Sequence, residues 1–180
     1  VDEDTLMRRA AGGDAQAFGA IVQAYQSRLV RFAMRLLGDS EAAQDAAQEA
    51  FLRLWRLRAS YQPCGCLQAY LFRTIRSVCV DYARAARPWD APAEGRAGGT
   101  APDPAVLIQA QSLADAVRQA VQSLPETQRV VFVLSQYEGL SYAEIADVLD
   151  CPLGTVASRK HQATETLRRK LFTWRDPDDL

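Results

Sequence analysis

The stretch from Gly139 to Leu171, GLSYAEIADVLDCPLGTVASRKHQATETLRRKL, reads as two short helices joined by a tight turn. Ser141 and Glu144 have the S-x-x-E spacing in which a hydroxyl accepts from a backbone N–H three residues on while the carboxylate reaches back to the cap. This predicts a helix starting at Tyr142, with Ile145, Ala146, Val148 and Leu149 as its apolar side. Asp150-Cys151-Pro152 ends it, because the ring of Pro152 disfavours a helical conformation at Cys151. A second helix is predicted from about Leu153, with Val156, Ala163, Leu167 and Leu171 in one buried stripe. Gly154, Ser158, His161, Gln162 and Glu165 fall on the opposite side. Two helices joined by so short a turn must cross, which leaves the second free to lie in a major groove with its N-terminal half toward base edges. A plain helical corner in some other bundle would show the same apolar spacing.

Outward from this motif, apolar stripes at helical spacing recur almost throughout the 180 residues and clean strand alternation is absent, so an all-α protein is expected. Residues 87–104, RPWDAPAEGRAGGTAPDP, carry almost no large aliphatic side chain and read as a flexible linker, with an end-to-end distance of about 25 Å. Two small helical domains follow, residues 1–86 and 105–172, with a tail at 173–180. In the first, Asp4 to Ala11 forms a short helix closed by Gly12-Gly13. Asp14 caps a helix with the stripe Phe18, Ile21, Val22, Tyr25, Leu29, Phe32 and Leu36, ended by Gly38. Ser40 or Asp39 caps the next helix, which runs to about Leu57. A loop from Arg58 to Cys66 leads into a helix from Leu67 to Ala86. In the second domain, Leu113–Leu124 and Glu126–Tyr137 are two helices split at Pro125.

The net charge of −1 argues against a general nucleic-acid coat. Its distribution is uneven: arginines and lysines gather at Arg73, Arg76, Arg84 and Arg87 and again from Arg159 to Lys170, while acids crowd the two ends. Basic patches in a neutral protein imply weak DNA binding without a partner. No apolar run approaches the roughly 20 residues needed to span a bilayer, and the N-terminus lacks a basic stretch followed by an apolar one, so an intracellular, cytoplasmic protein is expected. Four cysteines, Cys64, Cys66, Cys79 and Cys151, are too few and too oddly spaced for a disulfide scaffold. Cys64-Gly65-Cys66 has the chemistry to bind a metal or oxidise, but the single histidine, His161, lies in the other half, so no metal site is assigned. Cys79 and Cys151 read as small buried hydrophobes.

Two helix faces carry unusual patterns. From Glu41 to Leu57, Ala47, Ala50, Phe51, Leu54 and Trp55 form one side, and Asp45, Gln48, Glu49, Leu52 and Arg56 the other. Glu41, Asp45 and Glu49 repeat at intervals of four, which slightly destabilises a helix. The face is either solvated, with Glu49 paired to Arg53, or a docking surface for a basic partner centred on Leu52. From Leu67 to Ala86 the buried stripe is Leu71, Ile75, Val78 and Tyr82, and the opposite face carries Arg73, Arg76, Ser77 and Arg84. With Tyr61 in the preceding loop, this neighbourhood holds the aromatic and the charges that an unpaired base and its phosphates require.

Taken in order, these segments resemble bacterial sigma factors of the extracytoplasmic-function class, in the sigma-70 family, over nearly the whole chain. Asp45 to Arg56, DAAQEAFLRLWR, resembles the family's polymerase-docking helix. Ala69 to Ile75 followed by Asp81-Tyr82-Ala83-Arg84 resembles its promoter-melting helix, and Leu124-Pro125-Glu126-Thr127-Gln128-Arg129, Glu138 to Ala146 and Gly154 to Arg159 resemble its C-terminal domain. The resemblance implies an alternative sigma factor with no catalytic residues and no cofactor. It implies docking on the coiled coil of the largest subunit of core RNA polymerase through Asp45, Gln48, Glu49, Leu52 and Arg56, with a further contact on the polymerase flap. It implies capture of the melted −10 element by Tyr61, Arg73, Arg76, Ser77 and Arg84, and reading of −35 promoter DNA by Gly154, Thr155, Ala157, Ser158, Arg159, His161 and Gln162. An anti-sigma factor, often membrane-bound, would cover these surfaces until a signal releases it.

The chain departs from that pattern in places. Ala157 stands where a basic residue is common, Gln162 and Thr164 replace frequent arginines, and Tyr70 stands where tryptophan is frequent. Lys160 falls inside the apolar stripe, where it is expected to snorkel along its aliphatic stem. Two other classes fit parts of the sequence: a self-sufficient helix-turn-helix regulator with an N-terminal sensing or dimerisation bundle, and a helical enzyme or thiol sensor using Cys64 and Cys66.

Overall fold

In the computed structural model, residues 2–62, 65–85 and 113–175 are described, and they form helices α1 (Glu3–Ala11), α2 (Ala15–Leu37), α3 (Ser40–Leu57), α4 (Leu67–Ala85), α5 (Leu113–Gln122), α6 (Glu126–Gln136), α7 (Tyr142–Leu149) and α8 (Leu153–Arg175). No strand occurs among them. The sequence-predicted linker, Arg87, Cys64 and the last five residues lie outside the described residues. The chain divides into two compact units, one holding α1–α4 and the other α5, α6, α8 and most of α7.

The first unit is punctuated as its sequence dictates. Asp14 accepts from the backbone N–H groups of Gln16 and Ala17, both at 3.0 Å, and pairs with Arg9 at 2.8 Å. These donors hold its carboxyl below the usual range. Gly38 ends α2 with φ of +76°, the left-handed conformation that glycine adopts without steric cost. Asp39, rather than Ser40, caps α3 by accepting from the N–H of Ala42 at 2.7 Å. α2 packs on α1, α3 and α4, and α3 packs on α4. Ala33, Ala43, Ala46, Ala47 and Ala50 are all buried, small residues where helices approach, while Phe32 and Phe72 meet edge to face with centroids 5.3 Å apart. Of the predicted stripes, Phe18, Val22 and Leu36 are half-buried, and Tyr82 is corrected to a position 36% exposed. The whole last turn of α4, residues 81–85, is exposed, so its stripe ends at Val78 and Cys79.

In the second unit α8 packs on α5 and α6. Val121, Leu124, Val130, Val131, Val133, Leu134, Val156, Ala163 and Leu167 are buried. Ser141 caps α7 as its spacing requires: its Oγ accepts from the N–H of Glu144 at 3.3 Å, and Glu144 accepts from the N–H and hydroxyl of Ser141 at 2.7 Å each. Those bonds hold the Glu144 carboxyl below its ordinary value. α7 stops where Asp150 turns left-handed at φ of +49°, a conformation the short polar side chain tolerates, with Pro152 following. α8 continues to Arg175, past the 172 boundary read from the apolar stripe.

Two charged side chains are buried in this unit. Arg129, 4% exposed, donates to the Gln122 side-chain oxygen and to the Leu124 carbonyl, both at 3.0 Å, closing the end of α5. Lys160, 9% exposed, does not snorkel to water as expected. Its Nζ donates inward to the Ser135 hydroxyl at 2.5 Å and sits 4.9 Å from the Phe132 ring centre, and burial lowers its pKa. Cys151 is half-buried rather than buried, Cys79 is buried, and neither forms a disulfide.

Candidate polymerase and promoter surfaces

α3 separates its residues by angle into a buried side and a face where Asp45, Gln48, Leu52 and Arg56 are exposed and Glu49 is half-buried. Leu52 is 48% exposed, an apolar side chain with polar neighbours one turn away on its own helix. The Glu49 carboxylate accepts from Arg53 Nε at 2.9 Å and lies 3.9 Å from Arg56, while Arg53 also lies 3.8 Å from Asp81 of α4. The acid column is thus partly neutralised at its C-terminal end, and Asp45 is its more accessible acid. Trp55, assigned to the buried side, is half-buried, with Phe18 edge-on at 4.8 Å and the Arg58 guanidinium 3.8 Å from its ring centre.

On α4, Arg73, Ser77 and Arg84 are exposed and Arg76 is half-buried. The Nε of Arg76 is buried and makes no hydrogen bond, so its donor is unspent. Tyr61 leans edge-on against Tyr70, with centroids 6.1 Å apart. Burial, and then the nearby Asp4 and Glu3 charges, raise the Tyr61 pKa, so the phenol stays neutral. Sequence reasoning missed what anchors this neighbourhood. Both oxygens of Asp4, in the first turn of α1, accept from the Gly65 N–H at 3.0 and 3.2 Å, and Tyr25 donates to Glu3. No local pattern marks a bond across 61 residues. Cys66 is present as a disulfide, with the Tyr61 hydroxyl 4.0 Å from its sulfur. Among the described residues no cluster of three or more His, Cys, Asp and Glu side chains is arranged to hold a metal ion. No described helix is long and apolar enough to cross a membrane.

On α8, Gly154, Ser158, His161 and Gln162 are exposed, and Thr155, Ala157 and Arg159 are half-buried. The first two turns of the helix therefore present the expected small and hydrogen-bonding residues. The Ser158 hydroxyl donates to the Thr155 carbonyl at 3.0 Å, leaving its oxygen to act as an acceptor. Gln162 is held by Gln128 of α6 at 3.2 Å, a partner the sequence reading did not identify.

Comparison with known proteins finds the same two-part organisation in one family. Residues 21–88 match the family model of Sigma-70 region 2 and residues 114–167 that of Sigma-70 region 4. Among similar proteins, the RNA polymerase sigma-H factor of Pseudomonas aeruginosa is 33% identical, covering 94% of this chain and 93% of its own length. The ECF RNA polymerase sigma factor SigW of Bacillus subtilis is 32% identical over 88% of this chain and 91% of its own. Of solved structures, CnrH in complex with the cytosolic domain of CnrY aligns with a TM-score of 0.74 at 24% identity, covering 99% of this chain and all of that one. The sigma factor RpoE in complex with the anti-sigma factor NepR from Bartonella quintana aligns at 0.68 and 20% identity, covering 87% and 98%. At those identities the two structures show a shared fold.

Proposed function

The chain belongs to the sigma-70 family of RNA polymerase sigma factors, in its extracytoplasmic-function class, and on that premise we propose a distribution of its work over three surfaces. α3 docks on the coiled coil of the largest subunit of core RNA polymerase through Asp45, Gln48, Glu49, Leu52 and Arg56. α4 and the loop before it capture the melted −10 element, with Tyr61 as the aromatic and Arg73, Arg76, Ser77 and Arg84 as phosphate and base contacts. α8 reads the −35 element in duplex form through Gly154 to Gln162, and the α5–α8 unit touches the polymerase flap.

The observation that carries this assignment is Leu52. Leu52 is 48% exposed on the side of α3 opposite buried Ala43, Ala46, Ala47, Ala50 and Leu54, and covering its apolar surface with a partner would be favourable. The polar residues beside it, exposed Asp45 and Gln48, form the rim that a non-obligate interface needs. The net charge of −1 supports the division of labour. Few phosphates can be neutralised by such a chain alone, so core polymerase supplies affinity and this protein supplies choice. Phosphodiester chemistry belongs to the polymerase, and this chain contributes no catalytic group or cofactor. The protein acts in the cytoplasm, where promoter and polymerase are, and an anti-sigma factor, membrane-bound or not, covers the docking surfaces until a signal frees them. The RpoE–NepR complex, in which a protein of the same fold is bound to an anti-sigma factor, supports the expectation of such a partner.

Run-off transcription tests the reading: purified core enzyme with and without this protein, on a genomic promoter library. Promoter-specific transcripts that depend on the protein are expected. Tight binding to palindromic DNA without core, and no core-dependent transcript, would instead identify a self-sufficient regulator.

A further inference from the structure

Gln162 lies one turn beyond Ser158 on the exposed side of α8, away from buried Val156, Ala163 and Leu167. Its carboxamide oxygen accepts from Gln128 Nε2 at 3.2 Å. Gln128 sits in the first turn of α6, half-buried, with its backbone fixed by the helix. Its own N–H bonds to the Pro125 carbonyl at 3.0 Å, and the next residues, Arg129, Val130 and Val131, are buried. The Oε1 of Gln128 is buried and has no partner. The hydrogen bond its amide does make goes to Gln162.

A carboxamide carries an acceptor on one side and a donor on the other, and a free one can present either. Fixing the oxygen toward α6 removes that ambiguity and leaves the amino group as the polar atom still to be satisfied. In the major groove a donor matches the acceptor edges of guanine (O6, N7) or thymine (O4). The paired grip of a carboxamide on adenine needs its oxygen turned to the N6 amino group as well. Rotating the amide to offer that oxygen would break the bond to Gln128.

We propose that Gln128, which need not touch DNA, is a positioning residue for specificity: it locks Gln162 with its amino group outward, so that this position of the −35 element is read as guanine or thymine. The inference rests on the reading of α8 as the −35 recognition helix. It differs from ordinary helix packing because it demands a change in base preference, not merely in stability, when the polarity of the Gln128 side chain is reversed.

The experiment uses the full-length protein with core polymerase on promoters randomised across the −35 element, read by sequencing the transcripts. Wild type is expected to favour guanine or thymine at one position by about 5- to 100-fold. Gln162→Ala and Gln128→Leu should flatten that position alone. Gln128→Glu, an acceptor only, should draw the Gln162 amino group inward and turn its oxygen out, shifting the preference at the same position to adenine or cytosine. Thermal unfolding by circular dichroism identifies any variant that fails to fold, and Gln128→Leu, close in volume and uncharged, keeps the test open if the glutamate is not tolerated. An unchanged base profile in folded Gln128→Glu, or a uniform loss of activity with no change of preference in Gln128→Leu, overturns the proposal. Silence of Gln162→Ala while Ser158→Ala shifts a position also overturns it but leaves α8 as the reader; silence of both removes the −35 reading too.

Discussion

Replacing Leu52 by alanine should separate docking from folding. Leu52 is 48% exposed, so about half of its apolar surface is still available to a partner. Full burial of a leucine side chain is worth about 1.5–3 kcal/mol, which leaves about 1 kcal/mol to be gained on docking and about a 5-fold loss of affinity when it is removed. The same change costs the fold little, because Leu52 lies outside the buried core and alanine is the stronger helix former. Leu54, two residues on, provides the contrast: it is 0% exposed, and Leu54→Ala should cost about 2–5 kcal/mol of stability. The assay is competition of each variant against fluorescently labelled wild type for purified core polymerase, followed by anisotropy, with thermal unfolding measured on the same samples. Leu52→Ala should compete about 5-fold less well with an unchanged unfolding midpoint. Equal competition by Leu52→Ala and wild type would refute the docking role, and a fall in its midpoint as large as that of Leu54→Ala would refute the burial argument.

Other consequences follow from the second unit. Arg129→Ala strands the Leu124 carbonyl and the Gln122 oxygen, and at about 1–3 kcal/mol for each stranded group amide exchange in α5 and α6 should quicken about 100-fold, as hydrogen–deuterium exchange would show. Lys160→Leu fits the apolar stripe without the cost of burying an ammonium and should raise the unfolding midpoint by a few degrees, worth about 1 kcal/mol, whereas Lys160→Ala should lower it. Because the Glu144 carboxyl is held below its ordinary value of 4.5, its contribution to stability is full above that pH and is lost as pH falls through the lowered value; Glu144→Gln should lessen the acid-side drop in a melting series. Ser158→Ala and His161→Ala, exposed on α8, should alter transcription across a panel of −35 variants while leaving permanganate-detected melting at −10 unchanged, and an identical response across the panel would refute their role in reading the −35 element.

What the sequence made legible was local. Asp14, Gly38, Asp39, Ser141 with Glu144, and Pro125 each set a helix end through bonds or torsions spanning a few residues, and each is found at such an end. The stripe through Ile21, Tyr25, Leu29 and Phe32 is buried for the same reason: a period of 3.6 fixes which side chains share a side. Periodicity does not say how far a neighbouring helix reaches, so Tyr82 continued a stripe that packing had already abandoned. Nor does it register partners brought together by tertiary packing. Asp4 with Gly65, Arg129 with Gln122 and the Leu124 carbonyl, and Lys160 with Ser135 all join groups whose pairing leaves no spacing signal. Lys160 is expected to snorkel because it falls inside an apolar stripe, but the Ser135 hydroxyl and the Phe132 ring, supplied by another helix, take it inward.

The candidate sites divide along the same line. Exposure of Asp45, Gln48, Leu52 and Ser158 is a property of one helix and its angle, and was readable. The state in which a side chain presents itself is a property of two helices. On the proposed reading of α8 this distinction bears on the chemistry, because beside Arg159 its outward face carries neutral groups: the Ser158 hydroxyl, whose proton is spent on the Thr155 carbonyl, and the Gln162 carboxamide, whose oxygen is spent on Gln128. A guanidinium offers donors in any orientation and attracts phosphate at long range; a hydroxyl or carboxamide discriminates between bases only when its donor and acceptor are told apart beforehand. A recognition helix that gives up cationic reach therefore depends on neighbouring groups to fix its polar atoms. Substitutions at supporting positions such as Gln128 should then change which promoters are chosen as strongly as substitutions on the exposed face itself.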